Sequence, residues 1–242
     1  IGYYSGAAIG TNADENVFIG TMAGYALTQA WYNVYIGNDA GKYNQTGVSN
    51  VAIGKDAMGG AVASPYTGSD YNVALGYEAG TRMESNSGQN VFIGASAGSY
   101  VSTGDQNTLL GAYAGDNITS GSSNIIIGYG IDAASATGSN QLNIGDTIFG
   151  DLSTDKIGIG VSPEVPLHVW GGNAGTDPSW DTTYDVMVVE NDNYSNLALF
   201  SSASYGGQLL FSDPDSRTVG RVRYEHDVNK MEFWANGTEQ MS

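Results

Sequence analysis

The sequence feature that most constrains this fold is a phrase, Asn-Val-x-Ile-Gly-x-x-Ala-Gly, that recurs through residues 1–150. Its central glycine falls at positions 2, 20, 37, 54, 76, 94, 111, 128 and 145, so successive copies lie 17 or 18 residues apart, with one spacing of 22. The copies fade near Asp146. A period this short and this regular predicts a solenoid of about nine stacked coils and not a globular enzyme fold.

Each copy contains a short aliphatic run that ends in glycine, which is the length of a strand and not of a helix. Within the run, Val17 and Ile19 alternate with Phe18, and later copies repeat this order. Alternation places valine and isoleucine on one strand face and the intervening residue on the other. We expect the valine and isoleucine columns to form the interior (Val17, Val34, Val51, Val73, Val91; Ile19, Ile36, Ile53, Leu75, Ile93).

The residues expected on the outer strand face are also large and apolar: Phe18, Tyr35, Phe92, Leu109, Ile126 and Leu142. A monomer would expose that stripe to water, and a large exposed apolar patch indicates an interface. Closed cyclic symmetry is the usual way to cover such a patch with identical copies. The sequence therefore predicts a homo-oligomer, and we expect a homotrimer.

Glycine-containing dipeptides flank each predicted strand and predict the corners of the coil. Ala23–Gly24 and its equivalents follow a strand, and Thr46–Gly47 and its equivalents precede one. Glycine tolerates the backbone angles that tight turns require. The asparagine that starts each strand, such as Asn33, is interpreted as structural, because its amide can bond the backbone and stack with its equivalents. The spacing of 22 indicates an inserted surface loop containing Pro65.

The repeat domain is predicted to span residues 1–150, followed by a connector at 151–180 and a second domain at 181–242. The second domain contains five strand-like runs separated by turn signals, which predict a small antiparallel β-meander. These runs lie at 184–190, 196–202, 207–213, 218–226 and 230–236. No segment has a helical period, so the predicted fold class is all-β.

The chain has 25 acidic against 8 basic residues, a net charge of −17. No segment is basic, which argues against nucleic-acid binding, and an anionic membrane would repel the chain. The absence of cysteine excludes disulfides, thiolate metal sites and a cysteine nucleophile. No apolar run is long enough to span a membrane. Because the sequence begins inside a repeat, we expect it to be part of a longer protein.

The residues that usually carry catalysis or metal binding form no recognisable motif. His168 lies in an apolar run and His226 lies beside a turn, and neither has metal-ligand spacing to another histidine. Three copies of His168 on a trimer axis could hold an ion, but a packed histidine is the favoured interpretation. The acidic pairs at 14–15 and 213–215 are interpreted as solvated turn residues, because glycan cleavage needs two carboxyl groups that face each other. We predict no catalytic residue, no metal ligand and no cofactor.

The abundant aromatic residues are the candidates for binding. Several tyrosines lie just past a corner glycine, where a ring offers a flat apolar face and a hydroxyl to a sugar or a protein. The alternative is that these rings cap neighbouring coils. The candidate receptor-binding residues are Tyr25, Tyr43, Tyr100, Tyr113, Tyr129, Trp180 and Trp234.

The repeats resemble the heads of trimeric autotransporter adhesins, and more closely the repeats of bacteriophage tail fibres. In such fibres similar repeats precede a segment like KIGIGVSPEVPLHV, found here at 156–169. The final runs, DVMVVEND, LLFSD, GRVRYEH and MEFWANGTEQM, are similar to fibre knob modules. The resemblance implies a trimeric, extracellular, non-enzymatic part of a virion tail fibre. It also implies a host-surface glycan or protein and other fibre or baseplate proteins as partners.

Two rival hypotheses follow from the same observations. The head of a bacterial trimeric adhesin would share the repeats, but it would also require a coiled-coil stalk and a membrane anchor, which are not found in this sequence. A glycan-depolymerising tailspike would share the elongated fold and the glycan target, but it would require facing carboxylates between coils or subunits.

Overall fold

The structure, a computed structural model, describes residues 1–10, 13–60, 69–84, 87–170, 187–190, 206–211, 220–235 and 238–241. The chain divides into two compact units, residues 1–193 and residues 194–242, and each is described here by itself. The described residues form strands and turns and no helix, so the predicted all-β class is confirmed.

The first unit contains a single sheet in which strands pair in their order along the chain. Its first eight strands are parallel neighbours with equivalent residues in register, so Val17 pairs with Val34 and Val34 pairs with Val51. These strands are β1 (Val17–Ile19), β2 (Val34–Ile36), β3 (Val51–Ile53), β4 (Val73–Leu75), β5 (Val91–Ile93), β6 (Thr108–Leu110), β7 (Ile125–Ile127) and β8 (Gln141–Ile144). We name each coil by the strand that begins it, so coil 2 begins with β2.

The parallel solenoid has about seven turns, fewer than the nine coils counted from the sequence. The first copy of the phrase, at residues 1–6, forms turns and no strand, although the amide of Gly20 donates to the carbonyl of Ile1 at 2.9 Å. The last copy supplies β8 and then leaves the solenoid path. Repeat counting overestimates the solenoid because a terminal copy has only one neighbour with which to pair.

The orientation predicted for the strand faces is wrong. Val17 and Ile19 are 46% and 43% exposed, whereas the residues between such pairs, including Tyr35 and Phe92, are completely buried. The interior column is therefore Phe18, Tyr35, Ala52, Ala74, Phe92, Leu109 and Ile126, and the valine and isoleucine columns face outward. Leu142, predicted to share the face of Ile126, instead pairs with Ile125 in the outward valine column.

The corner glycines explain why the aromatic residues point inward. A Cβ on Gly41 would lie 2.4 Å from the ring of Tyr35, and one on Gly98 would lie 2.9 Å from the ring of Phe92. The rings therefore occupy space that only a residue without a side chain leaves free. A buried alanine, such as Ala40, and one further side chain, such as Leu27, complete the interior of each coil.

A second glycine column fixes the distance between coils. Gly20 has φ +132°, and its Cβ would lie 2.4 Å from the carbonyl oxygen of Gly37 in the next coil. Gly37 bears the same relation to Gly54. Any side chain at these positions would force neighbouring backbones apart, which accounts for the invariance of this glycine through the repeats.

The asparagines form the buried ladder that the sequence predicts. Asn107 donates from its backbone amide and from Nδ2 to Oδ1 of Asn90, at 2.9 and 3.1 Å. Its Nδ2 also donates to the carbonyl of Gly121 at 2.9 Å. Asn124 bonds Asn107 in the same way. Each amide thus satisfies polar groups of two coils that water cannot reach.

Parallel stacking ends where the repeat fades. β9 (Ile148–Asp151) turns back antiparallel to β8, and β10 (Lys156–Ile159) pairs antiparallel with β9. β11 (Leu167–Trp170) then pairs parallel with β10, and β12 (Met187–Glu190) pairs parallel with β11. β12 lies within the run at 184–190, which was predicted to belong to the meander. Pairing with β11 places it in the first unit instead.

The second unit contains an antiparallel sheet of four strands in sequential order. They are β13 (Gly206–Phe211), β14 (Gly220–Glu225), β15 (Lys230–Ala235) and β16 (Thr238–Met241). The first three coincide with predicted runs, and β16 was not predicted. The predicted run at 196–202 and residues 61–68 of the inserted loop at 61–70 lie outside the described residues. None of the described residues forms a helix that could cross a membrane.

Candidate functional site: a cleft between coils 2 and 5

The structure separates the candidate aromatic residues into several groups. Tyr113 and Tyr129 form an edge-to-face pair with centroids 6.1 Å apart, and they are 45% and 79% exposed. Tyr25 packs edge-on against Tyr4 at 6.2 Å. Both pairs join residues of adjacent copies of the repeat, so these rings do cap neighbouring coils while leaving part of their surface in water. Trp180 lies outside the described residues.

Trp234, in the second unit, is held by its strand neighbours. The guanidinium of Arg221 lies 3.9 Å from its ring centroid, and its indole nitrogen donates to Glu232 at 3.0 Å. Glu232 also forms a cross-strand ion pair with Arg223 at 2.8 Å. Burial opposes ionisation, but the bonds from Trp234 and Arg223 outweigh it and lower the pKa of Glu232. One face and the polar edge of this indole are thus already engaged.

Tyr43 and Tyr100 are the two candidates that the fold places around one cavity. They occupy the same position of their coils, six residues after the glycines at 37 and 94. Coils 2 and 5 are separated by three strand spacings, roughly 14 Å at about 4.8 Å each. A cleft with a volume of about 730 Å³ lies between the two rings.

The cleft exists because coil 3 carries no side chain where its neighbours carry large ones. At the positions of Lys42 and Tyr43, coil 3 has Gly59 and Gly60, which line the cleft. A Cβ on Gly59 would lie 3.0 Å from the carbonyl oxygen of Asp56. Coil 3, which lies next to the coil of Tyr43, therefore contributes backbone without a side chain to this part of the lining.

Acidic side chains form one side of the cleft. Asp39, Asp56 and Glu78 occupy the same position of coils 2, 3 and 4, with φ of 57°, 59° and 55°. Glu84 adds a fourth carboxylate to the lining. Successive residues of such a column lie about 4.8 Å apart, close enough for like charges to repel. Two lysines offset part of this repulsion, because Lys42 pairs with Asp39 and Lys55 pairs with Asp56.

Two cations of the cleft are each bound to a carboxylate or to an aromatic ring. Lys42 pairs with Asp39 at 3.0 Å and lies 5.2 Å from the ring centroid of Tyr43. Partial burial alone would lower the pKa of Lys42, but the carboxylate of Asp39 raises it above its ordinary value. The guanidinium of Arg82 lies 4.1 Å from the ring centroid of Tyr100.

Sequence reasoning found the two tyrosines of this cleft but missed its glycines and its carboxylates. A signal was present, because the copy at Asn50 reads Ala-Met-Gly-Gly where the others read Ala-Gly. The recurring acid before the corner alanine, at Asp39, Asp56 and Glu78, was a second signal. Neither signal by itself predicts a cleft, because the strand register decides which side chains of different coils become neighbours.

Neither histidine is among the residues that line the cleft. His168 is 3% exposed within β11, which confirms a packed histidine, and His226 is exposed beside the ring of Tyr224. In the described part of the chain, no group of three or more histidine and acidic residues is arranged to hold a metal ion.

Comparisons with known proteins add no relative to these observations. A scan against protein-family models and searches of curated proteins and of solved structures find no match to this chain. The functional conclusion therefore rests on the repeat, the exposed faces of the solenoid and the cleft.

Proposed function

We propose that this chain is a structural and receptor-binding segment of a homotrimeric bacteriophage tail fibre that attaches the virion to a host surface. In this proposal the solenoid is a stiff, non-enzymatic shaft, and neighbouring fibre or baseplate proteins bind flanking parts of the full-length protein. The observation that carries the proposal is the pair of outward aliphatic columns on the solenoid. The resemblance of the repeats and of residues 156–169 to tail fibres supports the number of subunits and the extracellular location.

The two outward columns are aliphatic along the parallel sheet except at Thr108. Ile53, Ile93 and Leu110 are 39%, 36% and 42% exposed in the single chain. The valine column continues as Thr108, Ile125 and Leu142, and the isoleucine column as Leu110, Ile127 and Ile144. Water-exposed aliphatic columns of this length are unusual on a monomer and typical of an interface.

The electrostatics of the sheet face favour association with identical copies. The chain carries a charge of −17, yet neither outward column contains a charged residue. Two copies can therefore meet along this face without opposing like charges at the contact, whereas contact through acidic surfaces would be repulsive. Three copies around an axis cover the face completely in a closed arrangement, and three weak receptor sites then act together.

Size-exclusion chromatography with light scattering tests the trimer. We expect a mass of three chains of 25.2 kDa each. Ile93→Glu places a charge in the centre of the aliphatic face, so we expect it to dissociate the trimer. Thr103→Glu introduces the same charge at an exposed turn and is the matched control. A folded wild-type monomer, or a trimer unaffected by Ile93→Glu, would contradict the proposed interface.

Attachment is tested by incubating fluorescently labelled trimer with a panel of bacterial strains. We expect adsorption to a restricted set of strains, and no adsorption after the surface glycans of those strains are removed. A bacterial adhesin would instead bind host tissue or matrix proteins. Because four carboxylates line the cleft, a tailspike remains the enzymatic alternative, and chromatography of the incubated glycans for shortened products distinguishes it.

A further inference from the structure

We propose that the cleft between Tyr43 and Tyr100 binds a neutral oligosaccharide, with one sugar on each tyrosine and the carboxylates accepting hydrogen bonds from hydroxyl groups. The proposal rests on the proposed function, because it names the ligand class of the receptor-binding segment. The proposed sugar site lies within coils 2–5 of one chain. Binding there does not depend on the outward aliphatic face that forms the proposed trimer interface.

The walls of the cleft suit the apolar faces of sugar rings. The ring of Tyr100 is 46% exposed, and that of Tyr43 is partly exposed on the same side of the solenoid. A tyrosine presents a flat apolar surface and a hydroxyl at low conformational cost. The roughly 14 Å between the two coil positions exceeds one sugar ring, so the geometry suits an oligosaccharide and not a monosaccharide.

The carboxylates of the cleft offer hydrogen-bond acceptors in successive coils. An ionised carboxylate offers two acceptor oxygens and can accept from two neighbouring hydroxyl groups at once. Asp56 and Glu78 lie in adjacent coils between the two tyrosines, and Glu84 lines the same cavity. This row suits the successive hydroxyl pairs of a glycan laid across the coils.

The charges of the cleft favour a neutral glycan over an anionic one. Four carboxylates and two cations line the cavity. Lys42 is already paired with Asp39, and Arg82 lies over Tyr100. Lys55, which is not part of the lining, pairs with Asp56. The carboxylates still outnumber these three cations, so a uronate or sialic acid would meet excess negative charge. The two cations also hold their tyrosine rings in place, which lowers the ordering cost of binding.

Isothermal titration calorimetry with defined trisaccharides tests the proposal. The neutral probes are triacetylchitotriose, maltotriose and mannotriose, and the anionic probe is trisialic acid. We expect at least one neutral probe to bind wild-type protein and trisialic acid not to bind. Preference for the anionic probe, or no binding of any neutral probe, would overturn the proposal.

Three variants locate the bound sugar. Tyr100→Ala removes one wall and should weaken binding about tenfold. Glu84→Gln retains an acceptor without the charge and should weaken it less. Thr81→Trp fills the cavity and should abolish binding, whereas Tyr3→Ala removes an exposed tyrosine outside the cleft and should leave affinity unchanged. Circular dichroism melting and light scattering confirm that each variant keeps the fold and mass of the wild type.

The same variants separate this inference from the proposed function. If Tyr100→Ala and Thr81→Trp keep wild-type sugar affinity, or if Tyr3→Ala weakens it equally, the cleft assignment is wrong. If they remain trimeric and still adsorb to cells at the wild-type level, the fibre role stands and recognition lies elsewhere. A monomeric wild-type protein would instead contradict the proposed function. The sugar affinities of the variants would still show whether the cleft binds the oligosaccharide.

Discussion

At the scale of single residues, the solenoid places ordinary side chains in a backbone conformation that normally favours glycine. Each regular coil has two such positions, represented by Gln89 at φ 59° and Ser96 at φ 56°. The non-glycine residues with positive φ in the described chain are Asn, Asp, Ser, Glu, Gln, Met and Tyr, and none is β-branched. Branching at Cβ worsens its contact with the following carbonyl in this conformation, so these positions restrict sequence as strongly as the core does.

Ser96 provides a direct test of this restriction. Ser96→Val should destabilise the protein by about 1–2 kcal/mol and lower the melting temperature by roughly 2–8 °C, because a β-branched residue tolerates positive φ poorly. Ser96→Gly, the control at the same site, should be close to wild type. Thermal melts followed by circular dichroism measure both. Equal stability of the two variants would show that φ does not limit this position.

Asp116 is expected to make stability depend on pH. Burial is the largest cause that raises the pKa of Asp116. The charge of Asp132 and a hydrogen bond with Asp132 raise it further. A raised carboxyl pKa means that ionisation is less favourable in the folded state. Protonated Asp116 therefore stabilises the folded state relative to its ionised form. This stabilisation is complete below the unfolded pKa of about 3.9 and is lost as pH rises through the folded pKa.

Asp116→Asn should consequently raise the melting temperature at pH 7, and the gain should disappear at low pH. Asp132→Asn should give part of the same gain, and the two gains should not add, since each removes the same repulsion. Melting curves from pH 3 to pH 8 measure the effect. A gain for Asp116→Asn that is independent of pH would contradict the electrostatic explanation.

At the scale of one coil, large and small side chains compensate for each other in the interior. Coils with a large inward residue, such as Tyr35, have a corner glycine, Gly41, against the ring. Coil 3 reverses both choices, with Ala52 inward and a fully buried Met58 at the corner position. The methionine side chain therefore takes the place of the missing ring, which keeps interior packing dense.

A double-mutant cycle tests this exchange. Ala52→Phe alone should cost about 1–3 kcal/mol by overpacking, and Met58→Gly alone about 2–5 kcal/mol by leaving a cavity. The double variant gives coil 3 the pattern of coil 5, where Phe92 packs against Gly98, and should lie within about 1.5 kcal/mol of wild type. Urea unfolding measures the three variants. Additive losses would show that the two side chains do not share one space.

At the scale of the whole molecule, the sequence itself predicts the repeat domain, its end near Asp146 and the asparagine ladder. A fixed period brings identical residues together, so Asn90 and Asn107 meet in any parallel stack of these coils. The antiparallel sheet of the second unit follows equally from turn signals between apolar runs. The pairing of β12 with β11 does not, because nothing local to residues 187–190 specifies a distant partner.

The amino-acid sequence by itself determined the coil period, the strands and the difference between the two strand faces. Only the tertiary structure decided which face is interior, because alternation is the same whichever side is buried. The decision lies in the corner glycines, since the rings of Tyr35 and Phe92 fit only against backbone without Cβ. The cleft likewise depends on register, because Tyr43, Gly60 and Tyr100 are distant in sequence and meet only when the coils stack.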